Sequence, residues 1–240
     1  MKITFLGTRG YIDAKNRRHQ RHTITLISYK RTRLMIDCGL DWLDGKFKKY
    51  KPTAIIITHA HPDHAWGLKT GSPCPVYATK ESWHLMQKYP IKDKHIVKPY
   101  KKFKIGSFIC EAFPVVHSIR APAVGYRITG GAHTIFCAHD IISIPERKKA
   151  LVGVDLYIGD GASVVRPIIR RKSDQLFGHT TIRAQLGWCQ KEDVPRAIFT
   201  HCGSQIVAGD ERTLGAQVRK LGKERGVEAS IAYDGLQIYV

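Results

Sequence analysis

The chain has 240 residues, 43% of them hydrophobic and 25% charged, which suits one domain with a proper core and excludes a disordered or fibrous polymer. Its 39 Lys and Arg against 20 Asp and Glu give a formal charge of +19, so the surface favours polyanions, chiefly nucleic acid. No stretch reaches the ~18 apolar residues of a membrane span, MKITFLGTRG lacks a signal-peptide pattern, and six scattered cysteines without a CxxC pair argue for reduced thiols in a cytoplasm.

In chain order, Lys2–Phe5, Thr23–Ser28 and Arg33–Ile36 read as short strands bounded by polar or glycine punctuation. Ala54–Ile57 is a continuous apolar run ending at Thr58, as a strand buried on both faces would. A helix is predicted from Thr79 as N-cap, with Trp83 and Met86 on one face. Phe108–Phe113, Val124–Thr129 and His133–Cys137 continue the strands, and Asp155–Ile158 and Ala197–Phe199 follow. Between these last two, Ile182, Leu186 and Cys189 mark a helical face. Asp210 should cap another helix, carrying Leu214, Val218 and Leu221 until Gly222 stops it. Glu228–Ile231 and Leu236–Tyr239 close the chain. Two blocks of strands with helices outside predict an α/β fold: two face-to-face sheets between helical layers, a four-layer αββα sandwich spanning residues 1–240 as one domain.

Directly after the buried run comes His59-Ala60-His61-Pro62-Asp63-His64, four potential metal ligands within six residues. Imidazoles and a carboxylate suit zinc, and also manganese or iron. His117, Asp140 and His201 each follow an apolar strand-like run, where a rigid scaffold presents ligands.

These motifs resemble the metallo-β-lactamase superfamily, whose HxHxDH signature is intact at His59–His64. The resemblance runs from Phe5-Leu6-Gly7-Thr8 to Asp234-Gly235. It implies two Zn²⁺, with Mn²⁺ or Fe²⁺ as substitutes: one ion on His59, His61 and His117, the other on Asp63, His64 and His201, with Asp140 bridging. Asp37 matches an aspartate that orients the histidine loop. His139 stands where relatives usually carry glycine and reads as a simple surface histidine rather than a partner of the ligands.

Such a pair of ions, about 3.5–4 Å apart, holds a bridging hydroxide that attacks carbon or phosphorus. Asp63 is the expected general base. Phe177-Gly178-His179-Thr180-Thr181 resembles a motif of the ribonuclease Z-like branch in which the histidine assists phosphoryl transfer, and Asp160 falls where a carboxylate orients it. Basic clusters at Lys15–His22 and Arg166–Lys172 are read as loops suited to phosphate. Leu40 replaces an expected acid after Asp37-Cys38-Gly39, and no long tRNA-gripping arm is present. The expectation is therefore a compact phosphodiesterase or nuclease acting on RNA or DNA, a homodimer by analogy with relatives. A lactam, lactone or thioester hydrolase is the alternative, promiscuous β-lactam cleavage included, and a non-catalytic nucleic-acid-binding module is the third reading.

Overall fold

A computed structural model describes all of residues 1–240. Its first sheet begins with β1 (Lys2–Gly7), β2 (Ile24–Tyr29), β3 (Thr32–Ile36), β4 (Ala54–Ile56), β5 (Val76–Thr79) and β6 (Lys94–Val97), side by side in chain order. β1 to β3 pair antiparallel, and β3 to β6 run parallel. The second sheet takes β7 (Lys102–Ile105), β8 (Phe108–Val115), β9 (Ala123–Gly130), β10 (His133–Cys137) and β11 (Leu156–Asp160). Next, β12 (Ile168–Lys172) and β13 (Gln175–His179) form an antiparallel hairpin that belongs to neither sheet. β14 (Arg196–Thr200) and β15 (Glu228–Ile231) complete the second sheet in parallel, and β16 (Gln237–Tyr239) returns to the first beside β1. The helices are α1 (Pro62–Ala65), α2 (Lys80–Leu85), α3 (Arg147–Leu151), α4 (Ile182–Lys191), α5 (Ser204–Val207) and α6 (Glu211–Lys223).

Three apolar clusters define four layers. Between the sheets, Ile3, Phe5, Ile36 and Ile56 meet Phe108, Tyr126, Ile135 and Ile158. Outside the second sheet, Tyr157 and Phe199 pack against Ile182 and Leu186 of α4 and Val218 of α6. Outside the first, Met35 and Ile55 are covered by Trp42, Phe47 and Met86. Successive strand residues point to opposite faces, so Ile55 and Ile56 serve different clusters, which is why that run reads as apolar throughout. This is the expected αββα sandwich.

The predicted elements recur with ends shifted by a residue or two, and Thr79, Thr181 and Asp210 cap their helices through side-chain oxygens. Two expectations are corrected. Gly222 does not stop α6: the helix runs to Lys223, and Gly222 is there because a Cβ would lie 2.5 Å from that of Ala229. The left-handed turn falls instead at Gly226, with φ of 69°. The segment Arg166–Lys172 is not all loop, since residues 168–172 are strand β12.

Candidate metal centre

Four loops from the ends of β4, β8, β10 and β14 converge, one from the first sheet and three from the second. After β4 the chain turns into α1 with Pro62 at its first position, where a missing N–H costs nothing and Asp63 and His64 are set inward. His117 follows β8, Asp140 follows β10, and His201 follows β14 with φ of 55°. All seven predicted ligands, His59, His61, Asp63, His64, His117, Asp140 and His201, come together in two overlapping groups that share Asp140.

In the first group the outward nitrogens are tied down. His59 Nδ1 donates to Thr58 Oγ1 (3.1 Å), whose own proton goes to Asp37 (2.8 Å). His117 Nδ1 donates to the Gly178 carbonyl (3.0 Å), and His61 Nε2 meets Ser118 Oγ (3.2 Å). His59 Nε2 and His117 Nε2 then turn lone pairs inward, 2.9 and 3.3 Å from His61 Nδ1. Lone pairs so close suit a shared cation among them. A tetrahedral zinc ion with nitrogens at 2.0–2.1 Å would space its ligands about 3.3 Å apart, close to what is seen. Burial, with the neighbouring imidazoles, pushes His59 well below the usual histidine range and His61 to about 4, leaving neutral rings fit to ligate.

In the second group His64 Nδ1 donates to Asp37 Oδ2 (2.8 Å), which leaves Nε2 facing Asp63 and Asp140, each at 3.3 Å. His201 lies 2.9 Å from Asp63 Oδ2 and 3.0 Å from Asp140 Oδ1. His64 Nε2, Asp140 Oδ1 and His201 Nδ1 are buried without a hydrogen-bond partner, so their natural partner is an ion. Asp140 Oδ2 is also 3.2 Å from His117 and 3.6 Å from His59, which places it between the groups. Burial would raise the Asp140 carboxyl, but the imidazoles of His201, His64 and His117 hold it well below the usual range.

Behind the ligands stands Asp37, fully buried and with φ of 63°. It accepts from Thr58 N–H (2.7 Å), Thr58 Oγ1, His64 and also His139 Nδ1 (2.7 Å). His139 is therefore not a surface histidine. It has no exposed area, and its Nε2 accepts from Thr25 Oγ1 (3.1 Å) and Cys137 Sγ (3.2 Å). Residue 139 sits two residues past β10, where its side chain turns in toward the first sheet.

His179 ends β13 beside the second group, its ring stacked on His201 at 5.5 Å, and its Nδ1 donates to Asp160 Oδ2 (2.7 Å). Burial works against charge on this imidazole, yet Asp160 outweighs it and raises the pKa. Asp160 is itself fixed by the N–H groups of Ile141 and Ala162 and by Gln185, which bonds its backbone on both sides. Gln185 escaped the sequence reading because it looks like any polar residue of α4. His179 is not the cap of that helix; Thr181 is.

A cavity of about 1130 Å³ opens over both groups. His61, Asp63, His117, Asp140, His179 and His201 line its floor, and the hairpin and the loop after β1 form walls. Gly10 of that loop lies on His201, where a Cβ would come within 2.9 Å of Cε1, a closeness that sequence alone does not signal. Arg9 and Asp41 form a partly buried ion pair under the same loop, next to the position where Leu40 replaces the expected acid.

The donor set, the lone-pair geometry and the orphaned buried atoms all fit divalent metal ions. Residues 32–202 match the family model described as the beta-lactamase superfamily domain. The ribonuclease Z of Picosynechococcus sp. is 30% identical over 152 residues, 54% of this chain and 47% of that protein. That of Bacillus licheniformis is 30% identical over 151 residues, 53% of this chain and 48% of that protein. The chain spans about half the length of these curated relatives. Among solved structures, Zn²⁺-bound PqqB from Methylobacterium extorquens superposes with a TM-score of 0.77 at 14% identity, covering 100% of both chains. The metallo-beta-lactamase fold protein YhfI from Bacillus subtilis gives 0.75 at 21% identity, covering 99% of this chain and 98% of that one.

Proposed function

This chain belongs to the beta-lactamase superfamily, and from that premise we propose that it is a dinuclear metal-dependent phosphodiesterase of the ribonuclease Z-like kind, a nuclease acting on RNA or DNA in the cytoplasm. The observation that carries the reading is the His179–Asp160 pair, an imidazole bonded at 2.7 Å to its carboxylate on the floor of the cavity beside the metal-ligand cluster. In this proposal His59, His61 and His117 hold one ion, Asp63, His64 and His201 the other, and Asp140 lies between them. The ligands suit zinc first, with manganese or iron as substitutes. When bound, such ions lower the pKa of a water and neutralise charge on an attacked phosphoryl group.

The chain's own groups do the rest. Asp63 reaches both the cluster and the cavity and serves as acceptor for the water's proton. His179, with Nδ1 committed to Asp160, keeps Nε2 for the substrate, where it donates to a phosphate oxygen or protonates the leaving group. A small neutral acyl substrate has no phosphate oxygen for that donor to meet, so lactam, lactone or thioester hydrolysis ranks second.

The test is cleavage of bis(p-nitrophenyl) phosphate by zinc- or manganese-loaded protein, beside His179→Ala and a chelated control. Metal-dependent turnover should fall about 10²–10⁴-fold in the variant. No turnover with either metal, alongside hydrolysis of a chromogenic β-lactam or a thioester, would overturn the reading.

A further inference from the structure

The cavity is larger than the ~300–1,000 Å³ typical of small-molecule sites, and its two long walls differ chemically. One wall is the hairpin. Strand β12 is exposed along its whole length, and alternation places Ile168, Arg170 and Lys172 on one face. Ile168 and Arg170, with Arg166 just before them, line the cavity, so this face looks onto the metal cluster. Arg166, Arg170, Arg171 and Lys172 pair with no carboxylate, and Asp174 is the sole acid in residues 165–179. Of these cations, Arg166 and Arg170 stand unneutralised on the cavity wall.

The hairpin's base is fixed. Gly178 and His117 exchange hydrogen bonds, Gly178 N–H to the His117 carbonyl (2.8 Å) and His117 Nδ1 to the Gly178 carbonyl (3.0 Å), and Thr180 N–H bonds the Ile141 carbonyl (2.8 Å). The arginines are thus held at a set distance from the ligand loops. Tyr11 and Ile12 line the cavity from the loop after β1. Tyr11 is 61% exposed, an aromatic ring kept in water, and its loop is pinned by Gly10 N–H on the Cys202 carbonyl (3.0 Å).

Guanidinium groups on the hairpin and an exposed aromatic ring on the loop after β1 are what a nucleic-acid strand with unpaired bases needs: phosphates bind the first and a base stacks on the second. Resting on the phosphodiesterase reading, we propose that this cleft takes single-stranded nucleic acid, with Arg166 and Arg170 holding phosphates next to the scissile one and Tyr11 stacking on a neighbouring base. A duplex keeps its bases inside the stack and offers Tyr11 no face. Five residues of β12 extend roughly 17 Å, so the wall reaches beyond a single nucleotide.

The test is fluorescence anisotropy of a labelled 12-nucleotide strand and its duplex with the metal-loaded protein, across a salt series, with gels reporting intact probe. The single strand should bind at least tenfold tighter than the duplex. Arg166→Ala with Arg170→Ala should flatten the log–log salt slope by about 1.4, two phosphates at ~0.7 each. Tyr11→Ala should weaken strand binding about 5- to 100-fold with the slope unchanged, and Tyr11→Phe should restore it. Equal affinity for the duplex, an unchanged slope in the double variant, or the same flattening from Lys102→Ala with Lys104→Ala on remote β7 would overturn the assignment. Binding with these signatures but no turnover of bis(p-nitrophenyl) phosphate would overturn the phosphodiesterase reading alone. Turnover without them would overturn the cleft assignment alone.

Discussion

Replacing Asp37 by Asn changes one atom at the point where the histidine loop is anchored. The left-handed backbone at residue 37 tolerates Asn, so the effect must come from hydrogen bonding. If the new NH₂ takes the place of Oδ2, it faces the N–H groups of His64 and His139, at 2.8 and 2.7 Å. His64 then has to move its proton to Nε2, the nitrogen aimed at the metal, and stops being a ligand. If the NH₂ takes the place of Oδ1, it faces the Thr58 N–H at 2.7 Å and leaves that buried donor unpaired. The second arrangement costs about 1–3 kcal/mol for the orphaned donor, plus roughly 1 kcal/mol for each imidazole bond that loses its charged acceptor. The expected sum is about 3–5 kcal/mol, out of the ~5–15 kcal/mol that holds a typical domain together. Metal affinity should fall about 10- to 100-fold, the usual cost of losing an outer partner of a ligand. Urea unfolding of the chelated protein measures the first number, and competition against a chromophoric zinc chelator measures the second. An Asp37→Asn protein within ~0.5 kcal/mol of the parent and within twofold in affinity would refute the reasoning, since Asp37 would then not anchor His64.

Three further outcomes follow from the geometry. Gly178→Ala puts a Cβ 1.9 Å from the Ile168 carbonyl at φ of 120°, so the hairpin base must open and release His117. Zinc affinity should drop at least tenfold by the same chelator competition, and retained affinity would show that the Gly178 carbonyl does not orient His117. Chelation should lower Tm by roughly 8–16 °C if the free ion is held at ~1,000 times its Kd, because about 4 kcal/mol of binding is withdrawn from the folded state. An unchanged Tm in protein shown to be metal-free would contradict the closure of the cluster across both sheets. His19, buried and 2.7 Å from Thr8 Oγ1, has its pKa pushed down to about 4 by burial and by Arg18. The unfolded chain therefore binds a proton between pH 6.5 and 4 that the folded chain refuses, and stability should fall as pH drops through that window by about 3 kcal/mol from this group. His19→Asn, which keeps a donor toward Thr8, should flatten that part of the urea-derived stability profile, and an unaltered profile would reject the assignment.

The legible parts of the molecule were those written in short-range pattern. The six residues His59–His64 announce themselves because four ligand types follow an apolar strand without interruption. The strands of the inter-sheet core show as β-branched runs, and Thr79 and Asp210 as caps, because each depends on a few adjacent residues. His117, Asp140 and His201 were legible as a set from their places after apolar runs, and their assignment to particular ions came from family likeness; alone, each is one polar residue after such a run. His139 was misread because its partner Asp37 lies 102 positions away on the other sheet, a distance over which periodicity carries no information. β6, β7 and the hairpin were missed for another reason. β6 and β7 have four residues each, too few for the Lys-Phe-Lys-Ile alternation of β7 to stand out, and β12 is exposed throughout, so no apolar face marks it.

The hairpin joins neither sheet and is bonded to the rest at its base. A change along Ile168–Lys172 therefore disturbs no core packing, while the metal loops rest on strands that can hardly vary. The cationic strand β12 and the loops that gather the metal-ligand cluster are thus separate pieces of backbone, joined through Gly178 and His179 at the base of β13. On the proposed reading, the reach or charge of β12 can change while the ion-holding loops stay as they are, and an engineer can graft a different two-stranded finger between Val165 and Gly178 on the same terms.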